Sequence, residues 1–87
     1  MWPRVDGLRS VELGTPGEMR TWLNDLVLTG RKQATAGLVQ EYETEGEALE
    51  HVGERLALLD GEGQRIATLG VTGVQVVCLT FILLNPR

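Results

Sequence analysis

The chain has 87 residues, 43% hydrophobic and 23% charged, with one cysteine and a formal net charge of −4; this leaves room for one small domain and argues against disorder, collagen or a disulfide scaffold. The acidic balance excludes a protein that coats DNA or RNA nonspecifically, because such binding needs a broad excess of Lys and Arg to neutralise phosphates. Cys78 cannot form an intramolecular bridge, and Trp2, Pro3, Arg4 and Asp6 leave no apolar run for a signal peptide, so the expected compartment is the cytoplasm.

Val11-Glu12-Leu13, ending at Gly14, reads as a short extended lead-in. Thr15-Pro16-Gly17-Glu18 then has the form of a capping box, with Thr at the N-cap, Pro at the first helical position and Glu three residues on. Met19, Trp22, Leu23, Leu26 and Val27 follow at helical spacing, and Gly30 stands where a C-cap glycine belongs. The pattern predicts a helix over about 16–29 with Trp22 and the leucines in the core. Residues 34–42 are read as extended, and the acidic stretch 43–54 as a solvated loop or a frayed helical turn. His51 within it has no second histidine, and Cys78 is the lone cysteine, so no metal site is expected.

Leu56-Ala57-Leu58-Leu59 and Arg65-Ile66-Ala67-Thr68-Leu69 flank Asp60-Gly61-Glu62-Gly63, the pattern of a β-hairpin. Neither Gly61 nor Gly63 leads into a Lys-Ser/Thr pair or a helix, so no phosphate loop and no cofactor are expected. Val74 to Leu79 reads as a third strand that Phe81 to Leu84 continues. Val71 to Leu84 is the most apolar stretch, but Thr72, Gly73, Gln75 and Thr80 interrupt it, and a membrane span needs roughly 20 apolar residues. No membrane partner is expected. One helix followed by several strands predicts an α+β fold in which a curled sheet packs against the helix.

Gly30-Arg31-Lys32-Gln33-Ala34-Thr35-Ala36-Gly37-Leu38, directly after the Trp22 to Leu28 helix, resembles the Gly-x-Lys-x-x-Thr signature of ASCH domains. The likeness continues through the Glu-rich segment with Tyr42, then Val52-Gly53-Glu54-Arg55-Leu56, Leu59-Asp60-Gly61-Glu62-Gly63 and Val71-Thr72-Gly73-Val74. It covers about residues 11 to 77. The resemblance implies a PUA-like mixed β-barrel or curled sheet with one flanking N-terminal helix, and a cleft that binds RNA or a modified nucleoside. Gly30, Arg31, Lys32 and Thr35 are the ligand-binding residues it implies. Some members of the family are amidohydrolases that remove acyl groups from cytidine, and for that activity Lys32 and Thr35 would be catalytic. Those enzymes also use a Glu further downstream. From about Cys78 onward the chain does not follow the family pattern, so that Glu has no evident counterpart, and residues 1–87 are read as a single domain, incomplete relative to the family at its C-terminal end.

The residue chemistry is compatible with these roles. A Thr hydroxyl becomes nucleophilic only when a neighbouring base takes its proton, and a lysine is such a base only when its environment favours the neutral form. Arg31 and Lys32 also suit a plainer role, as cations that complement a helix C-terminus. Alternation along a straight strand would put Glu41, Glu43 and Glu45 on the side of Thr35. A third expectation is self-association into a homo-oligomer, because an apolar Val71 to Leu84 tail with an open sheet edge invites another chain.

Overall fold

A computed structural model describes the backbone of residues 4–36, 39–75 and 78–85. In chain order the elements are β1 (Arg4–Val5), β2 (Leu8–Val11), α1 (Glu18–Leu28), β3 (Ala34–Ala36), α2 (Val39–Glu45), β4 (Arg55–Leu59), β5 (Arg65–Gln75) and β6 (Cys78–Asn85). The strands form one six-stranded mixed sheet in the order β1-β2-β4-β5-β6-β3, which is not closed into a barrel. Of the two forms expected, the structure is the open one, and it carries two short helices rather than one.

Sheet order follows burial. β4 presents Leu56, Ala57, Leu58 and Leu59, all buried, and such a continuous apolar run suits a central strand covered on both faces. It pairs antiparallel with β5 across the Asp60–Gly63 loop. That loop is organised by Asp60, whose Oδ1 accepts the amides of Gln64 and Glu62, both at 2.9 Å. These hydrogen bonds, Gln64 first, hold the Asp60 carboxyl below its ordinary range. The run expected as a single strand from Val74 to Leu79 is instead a hairpin: Val74 pairs with Leu79 and Gln75 with Cys78. Residues 76 and 77 lie outside the described residues.

At the other edge, β1 and β2 form a hairpin about Asp6-Gly7, with φ of 53° and 79°. Two consecutive left-handed residues make the turn whose twist matches that of the strands, and Asp-Gly is a favoured pair for it. This signal is explicit in the sequence as the Asp6-Gly7 pair. β2 then pairs parallel with β4, so the whole excursion 12–54, with both helices and β3, lies between two neighbouring strands.

Helix α1 starts at Glu18 rather than near 16. Gly17 is its N-cap with no side-chain capping bond, and the Thr15 hydroxyl faces Met19 Sδ at 3.8 Å, so the capping box does not form. The buried face also differs from the one expected. Arg20, Asn24 and Val27 are buried, whereas Trp22 is 62% exposed and Met19 53%. Arg20 Nε donates to Leu13 O at 3.0 Å and Nη2 to Gly14 O at 2.9 Å, while Asn24 Nδ2 donates to Leu59 O at 3.2 Å. Polar side chains thus fasten the helix to the sheet, and Val27 joins Leu13, Leu56, Leu58, Ala67, Leu69, Val71, Leu79 and Phe81 in the core.

The segment expected to stay extended to residue 42 does so only over Ala34–Ala36, and Val39–Glu45 is helical. The alternation of Glu41, Glu43 and Glu45 along a strand is therefore lost. Nor is the acidic stretch simply solvated. Arg4 grips Glu47 with two hydrogen bonds of 3.1 and 3.0 Å, and Arg9 lies 3.7 Å from Glu50 Oε1. Arg9 Nε is 3.1 Å from Glu54 Oε2, close enough for an ion pair though not aligned as a hydrogen bond. Arg4 and Arg9 are direct cross-strand partners, a like-charge pair that would repel without these carboxylates. No helix among the described residues is long and apolar enough to cross a membrane.

Candidate functional site

The Gly30–Thr35 segment joins α1 to β3. Gly30, at φ 78°, adopts the left-handed conformation that glycine reaches without steric cost. Its amide bonds to Val27 O at 3.0 Å and that of Arg31 to Leu26 O at 2.8 Å, the paired bonds of a Schellman ending. Lys32 N adds a third bond, to Leu26 O at 2.9 Å. The turn therefore closes the helix and fixes where the chain leaves it. Phe81 N then donates to Gln33 O at 2.8 Å, and β3 pairs antiparallel with β6: Ala34 with Thr80, Thr35 with Leu79, Ala36 with Cys78.

Directly paired residues of an antiparallel ladder point to the same face. Thr35 thus shares a face with Leu79, which is buried in the core, and through Leu79 with Val74. Thr35 and Lys32 are both half-buried, and Arg31 is exposed. Lys32 and Gln33 are not in strand conformation, so the rule that residues three apart on a strand face opposite ways does not govern Lys32 and Thr35. Among the described residues, no hydrogen bond or ion pair engages the side chains of Arg31, Lys32 or Thr35.

Beside β6 the fold buries a carboxylate, Glu50, whose burial sequence reasoning missed. It is buried, and Tyr42 Oη donates to its Oε2 at 2.6 Å. Glu50 and Tyr42 line a cavity of about 10 Å³ together with Leu79, the strand partner of Thr35. A cavity of that size holds about one water and no nucleoside. With one oxygen held by Tyr42 and the other beside Arg9, the Glu50 carboxyl is engaged in contacts within the fold. In the sequence it is one Glu among several in a polar run, and nothing there marks its burial. Among the described residues, no group of three or more His, Cys, Asp and Glu side chains is arranged to hold a metal ion.

Comparison with known proteins bears on the same segment. The fold is similar to the crystal structure of protein EF3133 from Enterococcus faecalis V583, described under family DUF984, with a TM-score of 0.76 at 21% identity over 88% of this chain and 76% of that one. It is also similar to the crystal structure of an ASCH domain from Lactobacillus crispatus JV V101, with a TM-score of 0.65 at 24% identity. That match covers 76% of this chain and 42% of the Lactobacillus chain. No curated protein matches. The model of the ASCH domain matches residues 10–82, a span that holds α1, the Lys32–Thr35 junction, β3 and the β4–β5 hairpin in one continuous stretch. With the family model matching residues 10–82 and the fold in agreement, this protein belongs to the ASCH domain family, of PUA-like fold.

Proposed function

We propose that the chain binds a nucleoside or an unpaired RNA base at the Gly30–Thr35 junction, with Lys32 and Thr35 as direct contacts and Arg31 at the rim. The observation that carries this reading is Lys32, a half-buried residue whose side chain makes no hydrogen bond or ion pair among the described residues. Its ammonium is thus uncommitted, and a ligand carbonyl or phosphate would be a charge-assisted partner for it. Thr35 is in the same position: a half-buried hydroxyl on an edge strand, open on one side.

The test is a chemical-shift titration of cytidine, N4-acetylcytidine and short single-stranded RNA into wild type and Lys32→Ala. A charge-assisted contact is worth roughly 1.5–3 kcal/mol, so Lys32→Ala is expected to weaken binding about ten- to a hundredfold. A lysine that merely complements the helix end contributes about 0.3–1 kcal/mol to stability and nothing to binding. If no ligand moves residues 30–36 at millimolar concentration, the reading is wrong. Cleavage of N4-acetylcytidine by wild type, abolished in Thr35→Ala, would favour an amidohydrolase instead.

A second reading, self-association, is favoured by the edge of the sheet. β3 covers β6 only over Cys78–Thr80, whereas β6 runs on to Asn85. That stretch carries no charged residue, and Ile82 and Leu84 are exposed. A second copy paired antiparallel about Leu83 would set Ile82 of each copy opposite Leu84 of the other and satisfy the open edge. Sedimentation equilibrium at high micromolar concentration is expected to show a dimer that Ile82→Lys dissociates. A 9.5 kDa species throughout counts against it.

A further inference from the structure

At the edge of the sheet opposite β3, the structure forms a second concavity. It is open, about 420 Å³ in volume, and lined by Arg4, Leu8, Arg9, His51, Glu54 and Arg55 together with Gly7 and Gly53. On a chain of net charge −4, three arginines at one hollow stand out. The sum of charges here is less informative than their depth. The Glu47 side chain is 3% exposed and that of its partner Arg4 39%. Glu54 is likewise largely covered, while the His51 ring beside it, with Nδ1 3.1 Å from Glu54 Oε1, is 77% exposed. In these two pairs the carboxylate lies beneath and the nitrogen-bearing group faces solvent, whereas Arg9, 11% exposed, is as covered as Glu54 at 14%. Arg55 is exposed at the start of β4, and no described residue supplies it with a hydrogen bond or ion pair.

Two glycines open the floor to a ligand. Gly7 and Gly53 have φ of 79° and 93°, and no heavy atom beyond their chain neighbours lies within 4 Å of where a Cβ would stand. The Gly53 amide is committed to Val71 O at 2.8 Å, so the glycines leave room rather than donors, and the Arg55 guanidinium, without a carboxylate among the described residues, is the group suited to a tetrahedral oxyanion. We infer that this concavity binds a phosphate group, with Arg55 as the principal contact and the Gly7 and Gly53 backbone beside it. The site is separate from the Lys32–Thr35 junction: none of its lining residues belongs to that segment, and β1 and β2 stand at the far end of the strand order from β3.

The test uses the full chain at low ionic strength, with amide shifts followed during addition of inorganic phosphate, of uridine monophosphate and of a short oligouridylate. All three are expected to move Gly7, Gly53 and Arg55. Equal affinities identify a site for a single phosphate, and a much tighter oligonucleotide identifies a track for a nucleic-acid backbone. Arg55→Gln is expected to weaken binding about ten- to a hundredfold and Arg55→Glu to abolish it, both without loss of fold because the side chain is exposed. Lys32→Ala leaves these shifts unchanged, which separates this site from the proposed nucleoside contact. Absence of shifts at Gly7 and Gly53, or binding that persists undiminished in Arg55→Gln, overturns the inference.

Discussion

Replacing Phe81 with Ala is expected to remove about 3–5 kcal/mol of stability, the range for a large aromatic cut from a packed core. Phe81 is 1% exposed and is among the largest fully buried side chains of the domain. It is paired with Val71 on β5, and its amide holds Gln33 O at the root of β3. Folded domains hold only about 5–15 kcal/mol in total, small ones toward the lower end. At about 4–8 °C per kcal/mol for a domain of this size, the melting temperature should fall by well over 10 °C. Phe81→Leu, which keeps most of the volume, should cost far less. Urea denaturation of the two variants checks this, and a loss below about 1 kcal/mol in Phe81→Ala would contradict the packing described.

The second large effect is expected at a polar residue. Arg20→Ala strips the Leu13 carbonyl of a buried donor, at about 1–3 kcal/mol, and removes a covered aliphatic stem as well, for a total of about 3 kcal/mol. It also cuts the bonds from Nη2 to Gly14 O and from Nη1 to Glu12. Trp22→Ala, two residues on but exposed, should change stability by less than about 1 kcal/mol. Hydropathy alone ranks these two substitutions in the opposite order. Thermal denaturation of both variants decides, and a larger loss in Trp22→Ala would show that the helix is seated on its apolar stripe.

That reversal shows where sequence reasoning reached and where it failed. Gly30 was legible as the end of α1 because a left-handed C-cap needs a residue without a Cβ. The β4–β5 hairpin was legible because two apolar runs around a Gly-rich loop allow few other structures. The rotation of α1 was not legible, since Arg20 and Asn24 face the core only by virtue of carbonyls at Leu13, Gly14 and Leu59, which tertiary structure brings to them. Helix α2 was missed for a related reason. Tyr42, Glu47 and Glu50 lie in a polar, acidic run with no apolar stripe, and their partners include Arg4 and Arg9, far away in the sequence. For the site, the motif located Lys32 and Thr35 on a helix-to-strand junction, while Glu50 carried no mark of its burial.

The Schellman ending of α1 also limits what chemistry the junction can perform. Acyl transfer requires donors aimed at the carbonyl oxygen as it becomes anionic, and turns often provide them from successive backbone amides, forming an oxyanion hole. Here the amides of Gly30, Arg31 and Lys32 are all committed to Val27 and Leu26 carbonyls, so this turn has none to offer. The stabilising donor would have to be a side chain. A lysine that accepts the Thr35 proton becomes an ammonium, but it then holds that proton for the leaving group rather than for the oxyanion. Within the motif, that leaves the Arg31 guanidinium and the Gln33 carboxamide, so a hydrolytic site here would depend on these side chains for electrostatic stabilisation, a role that the backbone fills in many other acyl-transfer enzymes.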